Sequence, residues 1–362
     1  MPRLSSRAES RLHESRTHAA GRAAAGAANA ADLAGTAVLL VNLGTPEAPD
    51  AASVRRYLRE FLSDPHVVIL PRLLWLPLLH GIVLNVRPQR SAARYQKIWT
   101  PEGSPLKIHT EKQAKLLRGF LGAAKYPMSV AYAMRYGRPA LDEALARLHR
   151  QGARRILLLP LYPQYAASTA ATVFDAAETW AARVKNPPKL VKLRLRADDP
   201  RYIAALAASV REHWMREGQP DPAYRLVISF HGVPRRTIER GDPYYDECLK
   251  TAALLAHELG LSAEHYRIAF QSYPGYCRWL SPRTAETLAE LGAAHTPRVD
   301  VICPGFVSDC LETLEEIAIE GKKTFLAAGG GEFHYIPCLN ERDDWIHMLA
   351  RRVIAHTQQT PD

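Results

Sequence analysis

No run of eighteen uncharged apolar residues occurs in the chain, so no segment reads as a membrane-spanning helix. No G-x-G-x-x-G opens a helix after the first strand-like run, and a dinucleotide site therefore lacks its main support. G-x-S-x-G is missing too, which disfavours a hydrolase nucleophile elbow. Gly329-Gly330-Gly331 lacks the lysine and hydroxyl of a phosphate loop and reads as a helix C-cap and turn. Cys248, Cys277, Cys303, Cys310 and Cys338 form no C-x-x-C, so neither a zinc ribbon nor a redox pair is spelled out. An odd cysteine count without a secretory signal fits reduced, cytosolic thiols. No module interleaves aromatic and basic residues, so no nucleic-acid partner is expected.

What is present is ordinary globular material. The 362 residues exceed one average domain, and a composition 47% hydrophobic and 23% charged excludes wholesale disorder. The formal charge of +10 is spread along the chain. Such an excess suits an anionic substrate, a lipid headgroup or a nucleic acid equally, and chooses none.

Apolar runs of strand length alternate with helical patterns, the signature of parallel sheets covered by helices. The clear strands are Ala37–Val41, Ile156–Leu159, Leu226–Phe230 and Val299–Ile302. Leu190–Arg196 alternates strictly and reads as an edge strand. An internal repeat supports two halves built alike. AVLLVNLGTP aligns with LVISFHGVP, so that Gly44 falls on Gly232 and Pro46 on Pro234. Leu145, Leu148, Arg155 and Ile156 align in turn with Leu288, Leu291, Arg298 and Val299 at a shorter offset, which places an insertion in the first half.

The expected organisation is a disordered basic tail over 1–35, a first Rossmann-like domain over 36–172 and a second over 173–340. A C-terminal helix and tail then cover 341–362. The insertion, at about 65–105 in the first domain, includes the apolar segment His66–Val86, which is punctuated by Pro71 and Pro77 and followed by Arg87, Arg90 and Arg94. It reads either as a buried core helix or as an apolar lip beside a cleft or membrane surface.

Ligands of open α/β sheets bind beyond the carboxyl ends of the strands. Four groups stand at such ends, among them Asn42–Pro46 after the strand at Ala37. His231 follows LVISF and precedes Gly232, which leaves an imidazole at the mouth of the second sheet. Tyr162–Tyr165 follows the strand at Ile156. SDCLETLEEIAIEG follows the strand at Val299, with Ser308 or Asp309 as the expected N-cap. In an α-helix Glu312, Glu316 and Glu320 would share one face, with Glu315 beside them, at a repulsive cost unless a cation sits against them. Glu312, in the first turn, should face the same cleft as His231. An imidazole opposite a carboxylate can hold a divalent metal such as Fe²⁺ or remove protons, and two ligands are too few for a closed structural site.

VNLGTP, FLSDPHV, GSPL, MRYG, LYPQYAAST, SFHGVP, RGDPY, WLSPRT, CPGFVSDCLETLEEI and IPCLN occur in this order. Together, over residues 37–355, they resemble ferrochelatase of the proteobacterial type. The resemblance implies two Rossmann-like domains with a porphyrin cleft between them and insertion of Fe²⁺, the substrate metal, into protoporphyrin IX at the last step of haem synthesis. By motif it implies His231 and Glu312 as the pair for iron binding and proton abstraction. It places Leu43, Arg135, Tyr136 and Tyr165 along the porphyrin cleft, Glu316 and Glu320 on a path for protons or metal, and His66–Val86 at the porphyrin and, in membrane-associated members, at the bilayer. Arg135 is a candidate for the substrate's propionates. No iron–sulfur cluster is expected, because no cysteine follows Cys338. The expected location is cytoplasmic, with peripheral contact at the inner membrane left open. One stretch departs from the family's pattern. Tyr273-Pro274-Gly275 stands where a basic residue is usual, and Tyr276-Cys277-Arg278 precedes Trp279. The alternatives are a chelatase for coproporphyrin or another metal, and a non-catalytic tetrapyrrole or metal carrier.

Overall fold

The computed structural model describes residues 33, 35–219, 221–273 and 278–358. The expected tail thus lies almost wholly outside the described residues, as does the core of the departing stretch, 274–277. Strands β1 (Thr36–Thr45), β2 (Ser129–Gly137), β3 (Arg155–Pro160) and β4 (Lys189–Lys192) form one parallel sheet in the order β2-β1-β3-β4. Strands β5 (Arg225–His231), β6 (Tyr266–Gln271), β7 (Arg298–Ile302) and β8 (Glu332–Ile336) form a second in the order β6-β5-β7-β8. The same order twice is the duplication that the repeat indicates.

Alternate side chains of a strand point to opposite faces, and each face here finds its own core. Val38 and Leu40 join Leu157 and Leu159 in one cluster, while Leu39 and Val41 join Ile156 and Leu158 in another. The first cluster also takes Leu226, Ile228 and Phe230 of β5, so the two sheets share it. Each such side chain contributes about 1.5–3 kcal/mol on burial.

The helices are α1 (Ala51–Ser63), α2 (Arg72–Leu78), α3 (Leu84–Ile98), α4 (Pro105–Ala123), α5 (Leu141–Arg150), α6 (Thr172–Ala181) and α7 (Pro200–Glu217). They continue as α8 (Arg235–Glu239), α9 (Tyr244–Leu259), α10 (Thr284–Ala293), α11 (Leu311–Thr313), α12 (Lys322–Ala327) and α13 (Asp343–Gln358). Between β1 and β2 the chain runs through α1–α4, whereas β5 and β6 are joined through α8 and α9 alone. The insertion therefore lies between the first two strands. β4, which a division at 172 would give to the second domain, pairs with β3 in the first sheet.

The His66–Val86 segment is neither a spanning helix nor a buried one. α2 passes through a π turn, Leu79–Val83, into α3. Leu79 and Leu84 point inward to Tyr57, Leu58 and Tyr95, and Trp75 Nε1 donates to the Leu62 carbonyl at 2.6 Å. Leu73, 90% exposed, and Leu74, 72% exposed, face outward with Leu70, Leu78, Ile82 and Val86. Among the described residues, no helix is long and apolar enough to cross a membrane.

Candidate active site

Two glycines at matching strand ends explain why the cleft opens where it does. A Cβ on Gly44 (φ 124°) would stand 1.8 Å from the Tyr136 carbonyl oxygen, and one on Gly232 would stand 2.8 Å from that of Gln271. Only glycine lets the neighbouring strand approach this closely. At the β5 end this puts His231 half-buried, with its ring centroid 6.2 Å from those of both Trp279 and Phe306. Nδ1 lies 2.5 Å from the Gly232 carbonyl oxygen. A carbonyl only accepts, so Nδ1 carries the proton, and in that tautomer Nε2 is the ring nitrogen with the lone pair.

His231 pairs in register with Gln271 of β6, whose Nε2 donates to the Glu312 carbonyl at 2.7 Å. The next residue, Ser272, donates from its N–H and its hydroxyl to the two carboxylate oxygens of Glu316, both at 2.6 Å. Burial pushes the Glu316 carboxyl above its ordinary value; the Ser272 bonds and the His231 imidazole pull it down without cancelling that, and Glu312 adds to the rise. Glu316 thus lies within electrostatic reach of both His231 and Glu312, and Ser272 joins it to the β6 end. Glu312 also faces the first half. Burial drives the phenols of Tyr57, Tyr95 and Tyr162 well up, and Glu312 acts on all three in the same sense.

The acidic stretch departs from the expected single stripe. After the short α11, Leu314–Gly321 is a π-helix, in which bonding runs i→i+5. Glu316 is turned inward to Ser272 while Glu320 is held outside by Lys97 and Lys323, which pull it down to about 2. Glu315 is buried against Arg94 and Lys97, the cations that the stacked acids needed. The cap differs as well. Cys310 occupies the N-cap position, and Asp309 is consumed by Thr313, Tyr335 and Asn340.

The first half supplies a wall built on Asp64, which the sequence reading did not single out. Its carboxylate accepts from Arg135 Nη2 at 2.6 Å, Thr172 Oγ1 at 2.7 Å, Tyr136 Oη at 2.8 Å and the His66 N–H at 2.8 Å. Arg135 also donates to Thr172 and stacks its guanidinium 4.5 Å from the Tyr136 ring centroid. Its charge is therefore committed to Asp64 rather than standing free for a propionate. Tyr136 is 2% exposed, with its hydroxyl turned to Asp64. Leu43 is half-buried against Tyr57 and Tyr95, beside Asn42, which accepts from Tyr162. Tyr165 lies under the Arg194 guanidinium and lines an open cavity of ≈ 340 Å³ with Pro65, His66 and Ile69 of the lip and Thr237–Pro243 of the second half. The lining of that cavity does not include His231 or Glu312.

Among the described residues no three His, Cys, Asp or Glu side chains are grouped to hold a metal, unlike the four-ligand arrangement of a structural site. The fold resembles that of SirB from Bacillus subtilis, solved with Fe³⁺, at a TM-score of 0.53 and 13% identity over 89% of this chain and 96% of that one. It is a chelatase-like α/β architecture. The ferrochelatase family model matches residues 35–357. The chain is 57% identical over 325 residues to the ferrochelatase of Methylibium petroleiphilum, covering 90% of this chain and 89% of that one. It is 58% identical over 318 residues to that of an Azoarcus species, covering 88% and 86%. The chain belongs to the ferrochelatase family.

Several residues of this ferrochelatase-family site escaped the sequence reading. Asp64, Gln271, Ser272 and Lys97 act through contacts between segments remote in the chain, and Arg94 had been read only as part of a basic flank. Asp64 did lie within FLSDPHV, and Gln271 and Ser272 directly precede the departing Tyr273, and that was the available signal.

Proposed function

We propose that His231 and Glu312 handle the metal and the protons of the family's reaction. That reaction, insertion of ferrous iron into protoporphyrin for haem synthesis, is the activity of this chain. Its balance is simple: Fe²⁺ enters, two pyrrole N–H protons leave, and the metal is held by four ring nitrogens. The lone pair of His231 Nε2 accepts a proton from the ring, a task suited to an imidazole near neutral pH. Glu312 offers carboxylate oxygens to the entering iron, and Glu316 behind it takes up the charge and passes a proton outward. Burial raises the Glu316 carboxyl above its ordinary value, which eases its taking up a proton. The flat substrate packs between the Trp279 and Phe306 side and the wall of Leu43, Tyr165 and the Arg135–Tyr136 unit, using face contact to bend the ring toward the metal.

The observation that carries this reading is the join at the β6 end: Gln271 pairs in register with His231 and holds the Glu312 carbonyl, while the next residue, Ser272, holds Glu316. Absorbance of the Soret band, followed after mixing protein, protoporphyrin and Fe²⁺ or Zn²⁺, tests it. Acceleration that is lost in His231→Ala while porphyrin still binds supports the assignment. No acceleration over the protein-free control would leave only a carrier.

Two further readings accompany it. Six exposed large apolar side chains between Leu70 and Val86, flanked by Arg72, Arg87 and Arg90, suit peripheral contact with an anionic bilayer such as the inner membrane. Co-sedimentation with vesicles containing anionic lipid, lost on Leu73→Ser/Leu74→Ser, checks this. The first domain extends through β4, since β4 completes its sheet.

A further inference from the structure

The acids of the Glu312–Glu320 stretch are partnered in two opposite directions. Glu316 is bonded to Ser272 on the β6 side. Glu315, with a side chain 2% exposed, accepts from Arg94 Nε at 2.6 Å and from Lys97 Nζ at 2.9 Å, and the same Nζ reaches Glu320 at 2.8 Å. Both cations stand on α3, in the first half of the chain, and both acids stand in the second.

The spacing of this clasp is informative. In an α-helix, residues five apart lie about 140° apart around the axis, too far round for one ammonium to hold both, while residues four apart nearly stack. In the i→i+5 ladder of a π-helix, residues five apart come much closer round the axis, near enough for one ammonium to bridge them. Lys97 bridges two glutamates five apart, so its double bond matches the π register and opposes the α register. An α register would carry Glu320 away from the ammonium that holds Glu315, and the clasp would open.

We propose that Arg94 and Lys97 are positioning residues for the insertion reaction: by clasping Glu315 and Glu320 they hold Leu314–Gly321 in its π register, which keeps Glu316 and Glu312 on the cleft side and Glu320 outside. An ordinary surface ion pair would contribute little. Here the shared acid Glu315 is buried, and a buried carboxylate cannot do without its cations. The clasp rests on the reading that Glu312 serves the reaction.

Lys97 is partly exposed, so Lys97→Met is expected to fold. With Zn²⁺ and protoporphyrin as probes, its kcat should fall about tenfold while the porphyrin KM changes less than about twofold, as displacement of reacting groups without loss of substrate binding requires. The metal KM should rise, and Lys97→Arg, which keeps the charge, should recover most of the rate. A crystal structure of Lys97→Met should show i→i+4 bonding replacing the π ladder over 314–321. An unchanged kcat in Lys97→Met and in Arg94→Gln/Lys97→Met, a Lys97→Arg no better than Lys97→Met, or a π ladder that survives would each overturn the proposal. Glu312→Gln is measured alongside. Should that variant keep its rate, the underlying assignment fails, and the register seen in the Lys97→Met crystal still decides the clasp.

Discussion

Asp64 in the first half and Glu316 in the second are both enclosed carboxylates, yet the fold handles their charge in opposite ways. Burial pushes Asp64 up, but bonds from Thr172, His66 and Tyr136 and the charge of Arg135 outweigh it, and the group ends below its ordinary value. At Glu316 burial is again the largest influence, but Ser272 and His231 do not cancel it, and the group ends above. A carboxylate saturated with donors is a structural anchor that is fixed in one charge state. One left short of donors is ready to exchange a proton or meet a cation. On the proposed assignment, the first half of this molecule builds the wall and the second carries the chemistry.

The largest effect should come from the side that carries the chemistry. His231→Ala should lower the insertion rate by about 10²–10⁴-fold, the range for a lost proton acceptor, with porphyrin binding retained. Stopped-flow insertion beside fluorescence-quenching titration checks both halves of that statement, and equal loss of rate and binding would make His231 structural. On the wall side, Asp64→Asn should cost about 3 kcal/mol of stability, because it leaves Arg135 largely enclosed without its anion. Denaturant unfolding reads this, and a midpoint matching the parent protein would erase the distinction drawn between the two carboxylates.

Smaller effects sharpen the contrast. Glu312→Gln should slow turnover about tenfold or more with little change in unfolding midpoint. Glu316→Gln should work in two directions, lowering the rate while raising stability by about 1 kcal/mol at neutral pH, since it removes a charge that burial disfavours. The pH dependence follows with signs. A lowered Asp64 contributes stability that is present above its unfolded value of 3.8 and lost as pH falls through its lower folded value. A raised Glu316 does the reverse. Its contribution is present below the unfolded value of 4.5 and lost as pH rises through the folded one. The pH–stability curve of Glu316→Gln against the parent should therefore diverge upward from that point, and a constant offset would contradict the assignment.

Much of this was legible in the chain, for a physical reason. β1, β3, β5 and β7 are central strands buried on both faces; β1 and β3 read as apolar runs, AVLLV and ILLL, and β5 and β7 as runs broken only by the buried Ser229 and Asp300. β2, β6 and β8 lie at sheet edges, where burial is partial and SVAYAMRYG or EFHYI carries no clean period, so they went unread. Edge strand β4 was read from its alternation, although only Lys189–Lys192 pairs before the chain leaves the sheet. His231 and the first acid could be placed because strand ends and helix starts are local features. The split of the acids could not, because the π register depends on Lys97, more than two hundred residues away along the chain from its partners.

The central claim is that one metal ion is shared by the β5 imidazole and the acid of α11. A crystal structure of the protein soaked with Zn²⁺ tests it most directly. The account predicts an ion at about 2.0–2.2 Å from both His231 Nε2 and a Glu312 carboxylate oxygen. An ion bound away from both, or the two groups standing more than ~10 Å apart around it, would contradict it.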